Sequence, residues 1–239
     1  MASSTSSDLK LELITTGEKS GTWGTITNTN LQILEQAASG YIAVDVASSD
    51  VALALSNHAV SNGKNLYFKF TGTLAANRTV TMPDSAERVF IVEDATTRST
   101  SNFTLTIKTV YGTGIALPVG SKCLVYSDGT NINLGIRQKG YYTPTTAYTA
   151  VDGDQLLIDT SGSGIGSAIT ITLPASPSVG SEVHFIDSGN NFASNNLTIA
   201  RNGSNILGAA SNLVVNTSAS AFTLVFVNAT RGWAYKTKI

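Results

Sequence analysis

Thr170-Ile-Thr-Leu-Pro174, then Glu182-Val-His-Phe-Ile-Asp187, a Gly/Asn-rich loop, and Asn196-Leu-Thr-Ile-Ala-Arg201 form a phrase that the chain uses twice. Its earlier version runs Val80-Thr-Met-Pro83, Arg88-Val-Phe-Ile-Val-Glu-Asp94, a Ser/Thr-rich loop, and Asn102-Phe-Thr-Leu-Thr-Ile-Lys108. Each reads as a strand, a proline corner, a second strand, an open loop and a third strand. Working outward, Leu66, Phe68 and Gly72 align with Leu156, Ile158 and Gly162. The closing strands also match: Cys123-Leu-Val-Tyr126 before Asp128-Gly-Thr-Asn131, and Thr223-Leu-Val-Phe226 before Asn228-Ala-Thr-Arg-Gly-Trp233. The predicted fold class is mainly β: a short N-terminal helix, then two tandem β-sandwich-like domains built from closely spaced strands and hairpins. The boundaries fall at 1–43 for the N-terminal segment, 44–139 for the first β-domain and 140–239 for the second.

Composition points the same way. The 239 residues are 42% hydrophobic but only 13% charged, which leaves few residues for solvated helical faces. Val, Ile and Thr are abundant, and branched side chains pack well on a pleated surface. A net charge of -1 gives no field to recruit a phosphate backbone or an anionic lipid surface, so neither nucleic acid nor membrane is expected as a partner. Cys123 is the sole cysteine and sits in the apolar run Lys122–Tyr126, which predicts a buried small side chain and no intrachain disulfide. Met1 to Ser7 lack the pattern of a signal peptide, so synthesis in a cytoplasm is expected. Residues 1–10 are polar and read as mobile unless a partner orders them. Strands poor in Lys and Glu leave sheet edges unguarded, and a symmetric homo-oligomer would cover them.

One helix is legible. Thr27 or Asn28 can cap it, Leu31, Leu34 and Ala38 recur at helical spacing with Ile33 beside them, and Gly40 stands where helices stop. Just ahead of it, Thr16, Gly17 and Gly21-Thr-Trp-Gly24, followed by Asn28, Asn30, Leu31 and Leu34, resemble an N-terminal motif common in virion proteins of tailed bacteriophages. Residues 145–237 are similar to a β-domain found in tail-fibre and other structural proteins of marine and cyanobacterial phages. The matching segments are Tyr148-Thr-Ala-Val-Asp-Gly-Asp154, Ile171-Thr-Leu-Pro174, Phe185–Phe192, Asn196–Gly203 and Arg231-Gly-Trp233.

The resemblance implies a short tail fibre or fibre-like baseplate component, synthesised in the host cytoplasm and located on the virion. It also implies a homotrimer and partners among other tail or baseplate proteins. Particle attachment falls to Thr16, Gly17, Trp23, Gly24, Asn28, Asn30, Leu31 and Leu34, and Trp23 alternatively plugs the helix against the first strand. A receptor-binding adhesin for host surface polysaccharide, or a head-associated fibre or decoration protein, fits the same modules.

No enzymatic activity, cofactor or metal is expected. His58 and His184 lie in different copies, and His184 reads as a strand histidine. Asp152, Asp154, Glu182 and Asp187, with Glu93 and Asp94 in the other copy, are the carboxylates a glycosidase would need, but their contexts are those of turn formers and strand ends. For glycan contact the candidates are Tyr141, Tyr142, Trp233, Asn190 and Asn191, rings for stacking and amides for hydroxyls; Tyr148 and Tyr235 share the ring chemistry. The alternative is that the rings pack in the core and the asparagines make turns. The triplets at Asn77, Asn102, Asn196, Asn202, Asn216 and Asn228 follow from composition and carry no glycosylation argument.

Overall fold

The structure, a computed structural model, describes residues 3–99, 103–138 and 140–238. It is mainly β. The sequence places the one long helix, α1, but not its start. It covers Trp23–Ser39 with Thr22 at the N-cap and no side chain capping it, so Thr27 and Asn28 lie inside the helix. Gly40 ends it, in extended conformation, with its N–H donating to the carbonyl of Gln36.

Among the described residues eleven strands follow. Two of them, Thr73–Leu74 and Thr97–Arg98, are short and pair with each other. The other nine build two sheets: β1 (Tyr41–Asp45), β2 (Val51–Ala52), β3 (Tyr67–Thr71), β4 (Arg78–Met82), β5 (Glu87–Asp94), β6 (Leu105–Thr109), β7 (Gly114–Leu117), β8 (Lys122–Asp128) and β9 (Ile132–Gln138). Nine more repeat them: β10 (Tyr141–Tyr142), β11 (Tyr148–Thr149), β12 (Gln155–Ile158), β13 (Ile169–Thr172), β14 (Glu182–Asp187), β15 (Leu197–Ala200), β16 (Leu213–Val215), β17 (Ala221–Asn228) and β18 (Gly232–Lys238).

In the first set the sheets run β9-β8-β5-β3-β1 and β7-β6-β4-β2; in the second they run β18-β17-β14-β12-β10 and β16-β15-β13-β11. Each of these nine sheet strands therefore has its counterpart nine places on, and the duplication read from sequence is reproduced in strand order; the short pair Thr73–Leu74 and Thr97–Arg98 belongs to the first set alone. Much of the pairing is parallel. β1, β3 and β5 are parallel, as are β2, β4 and β6, and the same holds for β10, β12, β14 and β11, β13, β15. The chain crosses from one sheet to the other and back, climbing one strand per turn for three turns. It then reverses into antiparallel strands that close the stack: β7 on β6, β8 on β5 and β9 on β8. The closing hairpins β8–β9 and β17–β18 are those the sequence predicts.

Period-two alternation drives the stacking, because inward residues of both sheets meet in the middle. β5 alternates Arg88, Phe90, Val92 and Asp94 inward, and β14 does so with Val183, Phe185 and Asp187. The first stack encloses a core with Phe68, Phe70, Val80, Met82, Phe90, Val92, Leu105 and Ile107. The second encloses Leu156, Ile158, Ile171, Val183, Phe185, Phe192, Leu197 and Trp233. Cys123 is buried in the first core, as predicted. Pro83 and Pro174 follow β4 and β13, the same corner in both stacks.

The alignment of Phe68 with Ile158 needs shifting by two residues. Phe70 pairs with Asp94 and Ile158 pairs with Asp187, so Phe70 matches Ile158 and Gly72 matches Thr160. A shift of two keeps every side chain on its own face, which is why pattern alone does not detect it.

Of residues 1–10, read as mobile unless a partner orders them, residues 3–10 are described and enter a hairpin. Ser4–Thr5 pairs with Glu12–Leu13, and Asn30 holds this hairpin on α1 by bonding both the N–H and the carbonyl of Glu12, at 3.0 and 2.8 Å. The first sheet begins at Tyr41, before the limit drawn at residue 43, and its β9 runs to Gln138.

Candidate functional site

The residues assigned to particle attachment separate into two sets. Asn30 faces inward and fastens the leading hairpin, while Trp23, Leu31 and Leu34 are 63%, 57% and 43% exposed. Trp23 therefore does not plug the helix against the first strand. The residue that seats α1 is Ile33, fully buried. At about 100° per residue, Trp23, Thr27, Leu31, Leu34 and Ala38 share one stripe of α1, beside the face that Ile33 buries and open to solvent. Thr16 and Asn28 are exposed, Gly17 turns the chain at φ +86°, and Gly24 is the second residue of α1 with open space where a Cβ would stand.

The glycan candidates do not converge. Trp233 is fully buried in the second core, edge-on to Phe226 with ring centroids 5.7 Å apart, so no face of its indole reaches solvent. Tyr142 packs against the core and against Tyr148, at 5.0 Å. Asn191 is committed: its amide donates to the Thr160 carbonyl at 3.1 Å and its N–H to Asp187 at 3.1 Å. Asn190 occupies the left-handed region at φ 50°, the turn-forming role of the alternative reading. Tyr141 alone of the rings is well exposed. Asn102, at the end of the loop that differs between the copies, lies outside the described residues.

The carboxylates are structural in their surroundings. Asp187 accepts the N–H groups of Asn191, Phe192 and Ala219, at 3.1, 3.2 and 3.0 Å, and so closes the corner after β14, as the sequence suggests. Its counterpart Asp94 takes the Thr96 N–H and a buried ion pair with Arg98 at 2.6 Å. Asp152 accepts the N–H of Glu182 at 2.8 Å, and Glu182 pairs with Lys236 at 2.6 Å. Glu93 accepts the Tyr67 hydroxyl at 2.6 Å.

Asp154 is buried, at 1% exposure. Burial pushes its carboxyl up to about 7, opposed by the Val151 N–H, the Tyr148 hydroxyl and the positive charge of Arg137 and Arg98. His184 stands on the outer face of β14, where its Nδ1 lies 2.8 Å from the Thr223 hydroxyl. Among the described residues, no group of three or more His, Cys, Asp or Glu could hold a metal ion.

The duplication exposes a difference that residue-by-residue reading missed. On the outer face of the first five-stranded sheet, Tyr41 stands beside Tyr67, Tyr67 beside Ile91, Ile91 beside Leu124, and Leu124 beside Ile136. The same five places in the second stack hold Tyr141, Gln155, His184, Thr223 and Thr237. One row is apolar throughout and the other polar after its first tyrosine. The signal was present in sequence: Val89-Phe-Ile-Val92 is unbroken apolar, whereas Glu182-Val-His-Phe185 alternates cleanly.

The class these features define is a duplicated, mainly β chain of two stacks, each with three parallel turns closed by antiparallel strands. Known protein families return no matching model, and no curated protein matches. Among solved structures, a chain described as "Structure of a chaperone-substrate complex" aligns with 82% of this chain and 36% of its own length, at 13% identity and a TM-score of 0.37. This chain thus spans about a third of that one's length.

Proposed function

We propose that the protein is a non-enzymatic structural component of a tailed-phage virion, a short tail fibre or fibre-like baseplate component. It attaches through the segment ending in α1 and displays two β-domains, the two stacks, as a symmetric homo-oligomer. The observation that carries this is the exposed stripe of Trp23, Leu31 and Leu34, three of the residues of the phage-like N-terminal phrase. Apolar side chains aligned on a helix and left in water serve as anchors for a partner surface. The twofold stack supports the display role: repeated strands and corners build length, and several weak contacts on one oligomer combine through effective concentration. No cofactor enters this reading.

The test replaces Trp23, Leu31 and Leu34 with serine and follows the protein into assembled particles by immunogold labelling. The side chains are exposed, so the circular dichroism spectrum and melting should be unchanged while incorporation is lost. A variant that still assembles into particles refutes the anchoring role. Electron micrographs showing the unaltered protein on the capsid would move the reading to a head fibre.

A further inference from the structure

The outer face of the first five-stranded sheet carries an uninterrupted apolar row where its duplicate is polar, although both stacks solve the same folding problem with the same strand order. The row spans all five strands, about 19 Å at the usual strand spacing. Tyr41 and Ile136 at its two ends are 58% and 69% exposed, and Val89 and Tyr126 widen it on β5 and β8. Folding does not require it, since the second stack closes without one. An apolar band this continuous on a chain with few charges marks a contact surface.

The flanks specify what covers it. Along one side runs Lys69, Glu93 and Lys122, adjacent on β3, β5 and β8. Both lysine ammonium groups lie 4.0 Å from the one carboxylate. Along the other side stand Glu87 and Asp128, paired across the strands, with Asp8 brought in by the Glu87 N–H at 3.0 Å. One flank has a cationic excess and the other only carboxylates.

We infer that this face is where identical copies of the chain meet, in a cyclic assembly whose axis runs parallel to the apolar row. Rotation about such an axis lays row against row and brings the lysine flank of one copy against the carboxylate flank of the next. An axis along the strands would set lysine against lysine. The face is thus complementary to itself in one orientation, which makes a second copy the occupant. The inference rests on the homo-oligomer proposed above and gives it a surface.

Sedimentation equilibrium of the full chain at micromolar concentration tests it. The unaltered protein should sediment as a discrete oligomer, and Tyr41→Ser with Ile136→Lys should sediment as a monomer with an unchanged melting curve, because both side chains are exposed. Lys122→Glu should weaken association by about tenfold or more, and adding Glu87→Lys should restore it, since the swapped charges meet again across the interface. A monomeric unaltered protein overturns the inference, as does an oligomer that survives the Tyr41 and Ile136 changes. Failure of Glu87→Lys to rescue overturns the axis. A retained oligomer in the double variant leaves the virion reading standing, whereas absence of the protein from particles removes that reading whatever the oligomer does.

Discussion

Asp154 is a carboxyl that the fold keeps neutral up to about pH 7, because burial outweighs the two hydrogen bonds and the more distant arginines. Its folded value lies above its unfolded one, so the native state binds the proton more tightly. The contribution is fully present below about pH 4, falls as pH rises towards 7, and is lost above that; its size is at most about 4 kcal/mol. Asp154→Asn removes this titration. Urea midpoints of the two proteins should converge at pH 4, and the variant should gain on the parent between pH 4 and 8; parallel pH profiles would contradict it. Asp187 does the opposite job, holding three backbone N–H groups at a corner. Asp187→Ala leaves those donors short of a partner and should cost about 3 kcal/mol in chemical denaturation. Both aspartates read alike in sequence, each beside a glycine or serine turn, and both are buried; what separates them is the donors they meet, three backbone N–H groups at Asp187 against one N–H and the Tyr148 hydroxyl at Asp154.

At the level of elements, α1 shows how far local signals reach. Its end at Gly40 and its existence were legible, while its start was not. Thr27 and Asn28 offered good capping chemistry, yet the helix begins a turn further back at Trp23 with no side chain capping it, and Asn30, inside it, is tied to the leading hairpin. Asn30 has a plain structural role: its amide completes the backbone pairing of Glu12. Asn30→Ala should release the leading hairpin without unfolding the stacks. Amide exchange at Glu12 should quicken about tenfold or more, the equivalent of a lost bond of roughly 1.5 kcal/mol, while the amides of β3 and β5 keep their protection. Strand direction escaped sequence altogether. Parallel and antiparallel neighbours need the same inward alternation, and only the lengths of the connections, long between β1 and β3 and short between β8 and β9, separate a crossover from a hairpin.

Over the whole molecule, the duplication was the most readable feature because it is written in corners and strands rather than in any one residue. The apolar outer row was the least readable, since it consists of one residue from each of five strands between Tyr41 and Ile136 and exists only once the sheet is assembled. The two cores share no strand, which predicts separate unfolding. Trp233 lies within the second core and Trp23 in open solvent, so a Trp23→Phe background leaves one indole that reports on the second stack alone. Phe68→Ala in that background empties a fully buried site in the first core and should cost that stack about 3–5 kcal/mol. If each stack folds on its own core, circular dichroism should split into an early and a late transition, with Trp233 fluorescence following the late one at its original midpoint. If the junction through Arg137 and Asp152, 3.7 Å apart, couples the stacks strongly, both probes will shift together. The exposed position of that pair's carboxylate screens it and favours the split.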